Sequence, residues 1–324
     1  MSLPSAASSG TTSPAVSVVV ATRNRASLLG ECLEAIARQR DVNLEVIVVD
    51  DGSDKSTRDT YQTLCPALAD RLRWIVHEHP DVPGTGPAAA RNRGIRAASG
   101  TFVAFCDDDD RWIREDHLQC AIDALETAAA DFFFCNVVAT RDGVVSDHVW
   151  FPDLALLSRG RPLTSGAPVL SVDLDTVLRV VAGTVIHPDC WVVRRTLLEA
   201  TGGFWERLWF PEDYDLMMRI LDRANSILFR PDACVDYRLP VSDSHSLRSS
   251  LSETILQENM AAQHVRLLSR RSSVRRHARA REAWTLRRLA NQQRADGQPA
   301  AARAFAWQAL CLYPTLGAVR DCLW

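Results

Sequence analysis

Apolar runs and helix-like segments alternate through the first hundred residues of the chain. Each run is short, continuous and rich in β-branched residues, which is typical of strands buried on both faces of a parallel sheet. Between the first two runs, apolar side chains recur at the spacing of one helix face, from Leu28 to Ala37. The runs are VSVVVA at 16–21, LEVIVV at 44–49, LRWIVHE at 72–78 and TFVAFC at 101–106. This alternation predicts an open, doubly wound α/β sheet with flanking helices.

The alternation weakens from about residue 131 onward. DFFFCNVVAT predicts a further strand, whereas 141–182 is interrupted by Pro and Gly and gives no clear assignment. Order returns with CWVVRRTLLEATGGF, and then Tyr214, Met217, Met218 and Leu221 recur at the spacing of a helix packed on the sheet. We expect both methionines in the core, and SILFRPDACVDYRL as a closing strand or hairpin.

Beyond Ser244 the chain is helical in pattern throughout. The segment 278–314 resembles one tetratricopeptide-like helix pair, with Gly297 at the turn and Pro314 after the second helix. One pair cannot bury its own apolar face, so we expect it to dock on the rest of the chain or on a partner chain, as in a homo-oligomer. The arginines between Arg266 and Arg288 predict a solvated helix face, and the alternative is contact with a membrane surface or an anionic partner.

Composition excludes little. The 324 residues are 47% hydrophobic and 24% charged with a net charge of −3, so nothing suggests a nucleic-acid partner. The nine cysteines are odd in number and include no C-x-x-C pair, which argues against a disulfide framework and against a zinc site. The start of the chain lacks the features of a signal peptide, and no run approaches the roughly 18 apolar residues of a membrane span. We therefore expect reduced thiols, a cytoplasmic protein and a disordered leader at 1–14.

Polar clusters follow three of the predicted strands. They are TRNR after the first strand, DDGS after the second and DDDD after the fourth. In open α/β sheets, ligands gather beyond the carboxyl ends of the strands, so these clusters should converge on one cleft. Adjacent carboxylates raise one another's pKa values unless a cation or strong donors offset their charge, which predicts a divalent cation. The simpler alternative is that one aspartate caps a helix starting at Arg111 and that the others are solvated.

Four segments together resemble the family 2 glycosyltransferases of the GT-A fold. They are VSVVVATRNR, EVIVVDDGSDKST, AARNRGIRAASGTFVAFCDDDD and GGFWERLWFPEDYDLMMRI, and the resemblance covers roughly 16–245. The resemblance implies a Rossmann-like, mostly parallel open sheet and an inverting enzyme that uses a nucleotide sugar with Mn²⁺ or Mg²⁺. It also implies a catalytic domain at 15–245, with a nucleotide-sugar-binding half at 15–110 and an acceptor-binding half at 111–245, before a helical C-terminal region at 246–324.

The resemblance assigns the cation chiefly to Asp109, with Asp107 near the ribose and the metal. In an extended segment alternate side chains share a face, so Asp107 and Asp109 should point together while Asp108 turns away. We expect Asp110 to be the helix cap. His245 resembles a family position that reaches the metal, and the alternative is a solvated histidine.

The same resemblance implies a set of nucleotide-binding residues. Asp51, together with Asp50, would contact the base, and the alternative is an Asx turn before Gly52. The remaining members are Thr22, Arg23, Asn24, Arg91, Asn92, Asp107 and Asp108. For Arg91 the alternative is an ordinary surface arginine. A UDP-sugar is the first expectation for the donor and a dTDP-sugar the second, while the acceptor is not specified by any residue.

The sequence PED places Glu212 and Asp213 in the first turn of a helix, where acids also complement the helix dipole. The resemblance implies that Asp213 is the catalytic base, with Glu212 as the alternative, and the helix N-terminus predicts a lowered pKa for Asp213. Phe204 and Trp205 are expected either to stack on a sugar or to enter the core.

Two other functions are compatible with parts of the pattern. A nucleotidyltransferase would need a glycine-rich basic loop after the first strand, and ATRNRAS contains no glycine. A non-enzymatic cation-binding scaffold would not account for acidic motifs at several strand ends together with PED.

Overall fold

The computed structural model describes residues 13–61, 63–76, 84–141, 143–146, 148–164, 167–239 and 250–323. The expected leader therefore lies outside the described residues except for its last two positions, and His245 lies outside them entirely. The strands of the described part form one sheet.

The first half of the sheet is parallel, as the alternating pattern predicted. Its elements in chain order are β1 (Val16–Thr22), α1 (Ala26–Ala37), β2 (Leu44–Asp50), α2 (Lys55–Tyr61), β3 (Leu72–Val76), α3 (Pro87–Ala97) and β4 (Phe102–Phe105). Thr22 is in register with Asp50 at the ends of β1 and β2. The strand ends that carry the polar clusters therefore meet at one edge of the sheet.

The second half of the sheet is mixed. Its elements are β5 (Arg111–Trp112), α4 (His117–Thr127), β6 (Phe132–Arg141), β7 (Val144–Val145), α5 (Leu154–Leu157), β8 (Arg161–Pro162), β9 (Leu170–Val172), α6 (Leu174–Val180), β10 (Trp191–Arg194), α7 (Arg195–Thr201), α8 (Glu212–Arg223) and β11 (Ile227–Arg238). The strand order across the sheet is β3-β2-β1-β4-β10-β6-β11-β9-β8, with β5 beside β11 and β7 beside β6. β10 runs antiparallel between β4 and β6, so its amino end lies at the edge where β4 ends. No helix starts at Arg111: this residue begins β5, which pairs with β11.

A single large core fills the space between the sheet and its helices. Met217 and Met218 are fully buried in α8, which confirms the amphipathic pattern read from the sequence. Phe204 is buried as well, and Trp205 stacks on His264 with ring centroids 4.1 Å apart. Both aromatic residues therefore serve packing.

The C-terminal region consists of α9 (Leu251–Leu268), α10 (Ser272–Ala295), α11 (Pro299–Leu312) and α12 (Leu316–Leu323). α10 and α11 form the expected helix pair, and Gly297 takes a positive φ of 71° at the turn between them. The region docks on α8 of the same chain. His264 Nδ1 lies 2.6 Å from Asp215 Oδ1, and the carboxylate of Asp222 accepts hydrogen bonds from the backbone N–H groups of Arg270 and Arg271.

Several of the tail arginines make internal contacts. Arg266 and Arg288 pair with Glu282 and Glu258, and Arg271 donates to the carbonyl oxygen of Ala224. These contacts tie the helices to one another and to α8. Among the described helices, none has both the length and the apolar character that crossing a bilayer requires.

Candidate active site

The guanidinium of Arg91 joins the end of β4 to the start of α8. Its Nη2 donates to both carboxylate oxygens of Asp107 at 2.6 and 2.9 Å, and its Nη1 donates to Glu212 Oε1 at 2.8 Å. The side chain is buried, and its guanidinium carbon lies 5.4 Å from the centroid of the Phe204 ring. Burial alone would lower the pKa of Arg91, but the charges of Asp107 and Glu212 outweigh burial and raise it. Arg91 is thus a buried ion-pair centre and not a surface arginine.

The four aspartates form a turn, in which the N–H of Asp110 donates to the carbonyl oxygen of Asp107 at 3.1 Å. Asp108 accepts hydrogen bonds from Thr22 Oγ1 at 2.7 Å and from Arg25 Nη1 at 3.0 Å. Arg25 also donates to Asp109 at 2.8 Å. Asp108 and Asp109 therefore share one arginine across this turn, while Asp108 is buried and both Asp107 and Asp109 are half-buried, in keeping with the expected alternation. Burial, reinforced by the neighbouring Asp109, raises the pKa of Asp108 to about 7.

Asp110 does not cap a helix. Its Oδ1 accepts a hydrogen bond of 2.7 Å from the backbone N–H of Arg238, which ties the turn to β11. The prediction fails because α4 begins six residues later than expected, at His117. Burial raises the pKa of Asp110 well above its usual range, and the charge of nearby Asp189 adds to this effect.

Two residues that the sequence analysis missed lie directly behind the aspartates. Asp189 is fully buried and accepts a hydrogen bond of 2.9 Å from the backbone N–H of Asp107. His187 lies between two carboxylates, with Nε2 3.8 Å from Asp107 and Nδ1 3.6 Å from Asp189. Burial lowers the pKa of His187, but the charges of Asp189 and Asp107 outweigh it and raise the value to about 9. In the sequence, these two residues belong to HPD, immediately before the buried strand CWVV. That position indicates the site only when the strand is known to be antiparallel.

The donor set fits a divalent cation. Asp107, Asp110, His187 and Asp189 each place one ligand atom within 4.8 Å of the others. One carboxylate oxygen of Asp110 and one of Asp189 are buried without a hydrogen-bond partner among the described residues. Carboxylate oxygens suit Mg²⁺, and carboxylates with an imidazole suit Mn²⁺. Asp109 and Asp107 are the members of this region that reach the surface, with side chains 35% and 21% exposed.

Glu212 and Asp213 occupy the first turn of α8, as expected. Burial raises the pKa of Glu212 to about 7, although its partner Arg91 opposes the change. Asp213 Oδ1 accepts a hydrogen bond of 2.7 Å from the N–H of Tyr214. Burial also raises the pKa of Asp213, against the charges of His187 and Arg91. The lowered pKa predicted from the helix dipole is therefore wrong, because desolvation dominates at this position.

The end of β2 carries two aspartates with different surroundings. Asp50 Oδ1 accepts from the N–H of Ser53, three residues on, at 2.9 Å, and its buried Oδ2 has no partner among the described residues. Asp51 accepts from Thr85 Oγ1 at 2.7 Å, from the N–H of Gly86 at 2.8 Å and from Arg93. Burial alone would raise the pKa of Asp51, but these hydrogen bonds together outweigh burial and lower it.

The other expected nucleotide residues differ in placement. Arg23 and Asn24 are exposed, and Asn24 is held at a positive φ of 56° by hydrogen bonds to the loop after β2. Asn92 instead directs its amide at the backbone N–H and carbonyl of Phe204. A Cβ atom at Gly203 would lie 2.4 Å from Asn92 Oδ1, so this position requires glycine. Asn92 therefore secures the loop that leads to α8.

Comparison with known proteins identifies the family. The chain belongs to glycosyl transferase family 2, whose profile, described as "Glycosyl transferase family 2", matches residues 17–202. The PGL/p-HBAD biosynthesis glycosyltransferase of Mycobacterium bovis is 37% identical over 105 residues, covering 32% of this chain and 39% of that protein. The matched segments thus span between about a third and two fifths of such curated relatives.

Two solved structures resemble the chain over nearly its whole length. S. aureus TarS in complex with UDP-GlcNAc aligns at 20% identity with a TM-score of 0.64, covering 95% of this chain and 78% of that one. The mannosyltransferase PcManGT from Pyrobaculum calidifontis, in complex with GDP-Man and Mn²⁺, aligns at 22% identity with a TM-score of 0.56, covering 96% and 79%. At these identities the likeness shows the fold alone, and it confirms the expected GT-A type with a helical C-terminal region.

Proposed function

We propose that the chain is an inverting, metal-dependent glycosyltransferase that moves a sugar from a UDP-sugar to an acceptor hydroxyl. The observation that carries this proposal is the convergence of Asp107, Arg91 and Glu212, which joins the DDDD turn to the PED turn in one cleft. A diphosphate leaving group needs positive charge on one side, and an acceptor hydroxyl needs a proton acceptor on the other. The cleft offers carboxylates suited to both tasks.

The cation would be held chiefly by Asp109 together with Asp107. These two side chains reach the surface, whereas Asp110 and Asp189 are buried beneath them. A divalent cation at this place supplies Lewis-acid stabilisation of the departing diphosphate. Asp189 supports the arrangement by fixing the backbone N–H of Asp107. Asp108, held by Thr22 and Arg25, would position the ribose side of the nucleotide.

Asp213 is proposed as the base that takes the proton of the acceptor hydroxyl. Burial raises the pKa of its carboxylate, which makes it a stronger base than a solvated aspartate. Glu212 is a poorer candidate because it is buried and its Oε1 accepts from Arg91. Attack from the face opposite the diphosphate, with one carboxylate as base, gives inversion at the anomeric carbon.

The nucleotide would lie along the ends of β1 and β2. Asp51, together with Asp50, is proposed to contact the base, and Asp51 also fixes the loop at Thr85 and Gly86. Arg23 is exposed at the same edge and is proposed to approach the phosphates. The TarS complexes with UDP-GlcNAc and UDP support a UDP-sugar as the first choice, ahead of a dTDP-sugar.

A donor-hydrolysis screen tests the proposal without knowledge of the acceptor. The protein is incubated with a panel of UDP-, dTDP- and GDP-sugars, with and without Mn²⁺, and the released nucleoside diphosphate is measured. We expect release from one donor class, dependent on the cation and lost in Asp109→Asn. Asp59→Asn is the matched control, because that side chain is 62% exposed and pairs only with Lys55 of its own helix in the described part. Cation-independent release, or none from any donor, would contradict the proposal.

A further inference from the structure

A second cluster of metal-ligating side chains lies in the core, apart from the carboxylates of the cleft. His117 opens α4, Cys135 lies in β6 and Cys234 lies in β11. All three are fully buried, and each places one ligand atom within 4.8 Å of the others. The fold therefore brings one imidazole and two thiols from three separate elements to a single point.

The imidazole of His117 is the feature that the surrounding core does not explain. Both ring nitrogens are buried and make no well-formed hydrogen bond among the described residues, and the Cys234 thiol interacts with the ring. The ring is held between Trp112 and Phe133, at centroid distances of 5.2 and 6.0 Å. Thiols are weak hydrogen-bond donors, so a buried imidazole beside two thiols is poorly satisfied, which indicates a missing ligand.

Two further residues complete the surroundings. The thiol of Cys190 contacts that of Cys135 and supplies a fourth donor next to the trio. Arg230 is buried beside Cys234 and pairs with two carboxylates at 2.9 and 3.3 Å, while its Nη1 has no partner in the described part. Three thiolates and one imidazole around a divalent cation carry one negative charge, and the guanidinium with its unpartnered Nη1 is the cationic group beside Cys234.

We propose that His117, Cys135 and Cys234, with Cys190 as the fourth ligand, bind a structural Zn²⁺ ion. One imidazole and three thiolates are a common tetrahedral set for structural zinc, with Zn–S near 2.3 Å and Zn–N near 2.0 Å (both approximate). Such bond lengths bring ligand atoms to roughly 3.5–3.8 Å apart, so the trio, which lies within 4.8 Å, needs a contraction of up to about 1.3 Å, and Cys190 must approach from outside that limit. Soft thiolate ligands disfavour Mg²⁺, so this site and the carboxylate site of the cleft prefer different metals.

The absence of a C-x-x-C pair argued against zinc at the level of sequence, but here the ligands come from distant positions. Burial raises the pKa of the Cys135 thiol well above its usual range, and the Cys234 thiol is raised as well, first by its contact with Cys135. Zinc binding must therefore release the thiol protons to solvent, which couples metal loading to folding. The ion would join α4 to β6 and β11 directly behind Asp189, and so support the floor of the cleft.

Metal analysis of the full chain tests the site. The protein is produced with added zinc, purified with a reductant and treated with mild EDTA to remove ions held only by carboxylates. We expect about one zinc per chain, and X-ray absorption at the zinc edge should show a sulfur shell near 2.3 Å (approximate). A chain that is folded and free of zinc, or zinc with oxygen and nitrogen neighbours only, would overturn the proposal. So would a Cys135–Cys234 disulfide found by mass spectrometry without reductant.

Variants assign the ligands. Cys234→Ser and His117→Asn should each lower the zinc content at least tenfold, while Cys311→Ser should keep it, because Cys311 is exposed on α11. Replacement by Co²⁺ should give a thiolate charge-transfer band that is weakened in Cys135→Ser. If a variant fails to fold, the absorption spectrum of the unmodified chain still decides the question. Unchanged zinc content in soluble Cys234→Ser and His117→Asn would overturn the assignment.

Discussion

The guanidinium of Arg91 donates a hydrogen bond of 2.8 Å to the carboxylate of Glu212, a residue 121 positions later in the chain. Both side chains are buried. The bond links α3, in the half expected to bind the nucleotide, to α8, in the half expected to bind the acceptor. Because Arg91 also clamps Asp107, a single side chain fixes the spacing between the two acidic motifs of the cleft.

Replacing Arg91 should therefore destabilise the protein strongly. In Arg91→Met, Asp107 and Glu212 lose their shared cation while staying buried, and breaking a buried ion pair costs about 3–5 kcal/mol. Chemical denaturation should show a loss of that size. Arg96→Met on the same helix is the control, since its side chain is 64% exposed and lies 3.8 Å from Glu206. Equal, small losses in both variants would mean that Arg91 does not hold the motifs together.

Two neighbouring aspartates distinguish where the cation binds. Asp109→Asn should weaken Mn²⁺-dependent UDP binding at least tenfold in calorimetric titrations. Asp110→Asn should change it little, because an amide oxygen still accepts the Arg238 N–H and the side chain lies buried beneath the two aspartates that reach the surface. An equal loss in both variants would instead place the cation among the buried carboxylates beside His187.

Stability should depend on pH through His277 of α10. Burial, aided by the charge of Arg281, lowers the pKa of His277 to about 4 from an ordinary value of 6.5. The unfolded chain thus takes up a proton that the folded chain excludes, so this contribution is present above pH 6.5 and is lost as the pH falls toward 4. The loss reaches up to about 3 kcal/mol.

Denaturation curves for His277→Gln should show a shallower fall across that pH window than the unmodified chain. His148→Gln, at an exposed histidine, should keep the original slope. If all three proteins lose stability in parallel across this pH window, burial of His277 is not the source of the pH dependence.

Removing the C-terminal helices should affect solubility before nucleotide binding. Deleting 270–324 removes Val274 and Ala278, which belong to the main core, and exposes the apolar surface they cover. We expect a lower soluble yield or a change in oligomeric state by light scattering, with UDP binding retained. A chain ending at Tyr313 lacks only α12 and should behave like the full chain. A monodisperse, equally stable product of the larger deletion would show that the docking contributes nothing.

Local pattern was sufficient to predict the parallel half of the sheet. Continuous apolar runs marked β1, β2 and β4, and helical periodicity placed Met217 and Met218 in the core. These elements depend on neighbouring residues and on burial, both of which are visible in a sequence.

Features that depend on distant partners could not be predicted. The sequence suggests that Asp110 is a helix cap, because it does not show that β11 supplies the Arg238 N–H as its partner. The place of His187 in the site depends on the antiparallel direction of β10, which the sequence does not show either. The zinc ligands proposed here are likewise spread over α4, β6 and β11. The pKa of Asp213 follows the same rule, since its burial by other elements outweighs the dipole of its own helix.

The most direct test of the proposed function is donor turnover by Asp213→Asn, measured beside nucleotide affinity. The asparagine oxygen still accepts the Tyr214 N–H but cannot take a proton. We predict that turnover falls by roughly 10²–10⁴, while UDP affinity and thermal stability stay close to those of the unmodified chain. Turnover within about threefold of the original, or a loss of UDP binding that accounts for the whole decrease, would contradict the assignment of Asp213 as the base.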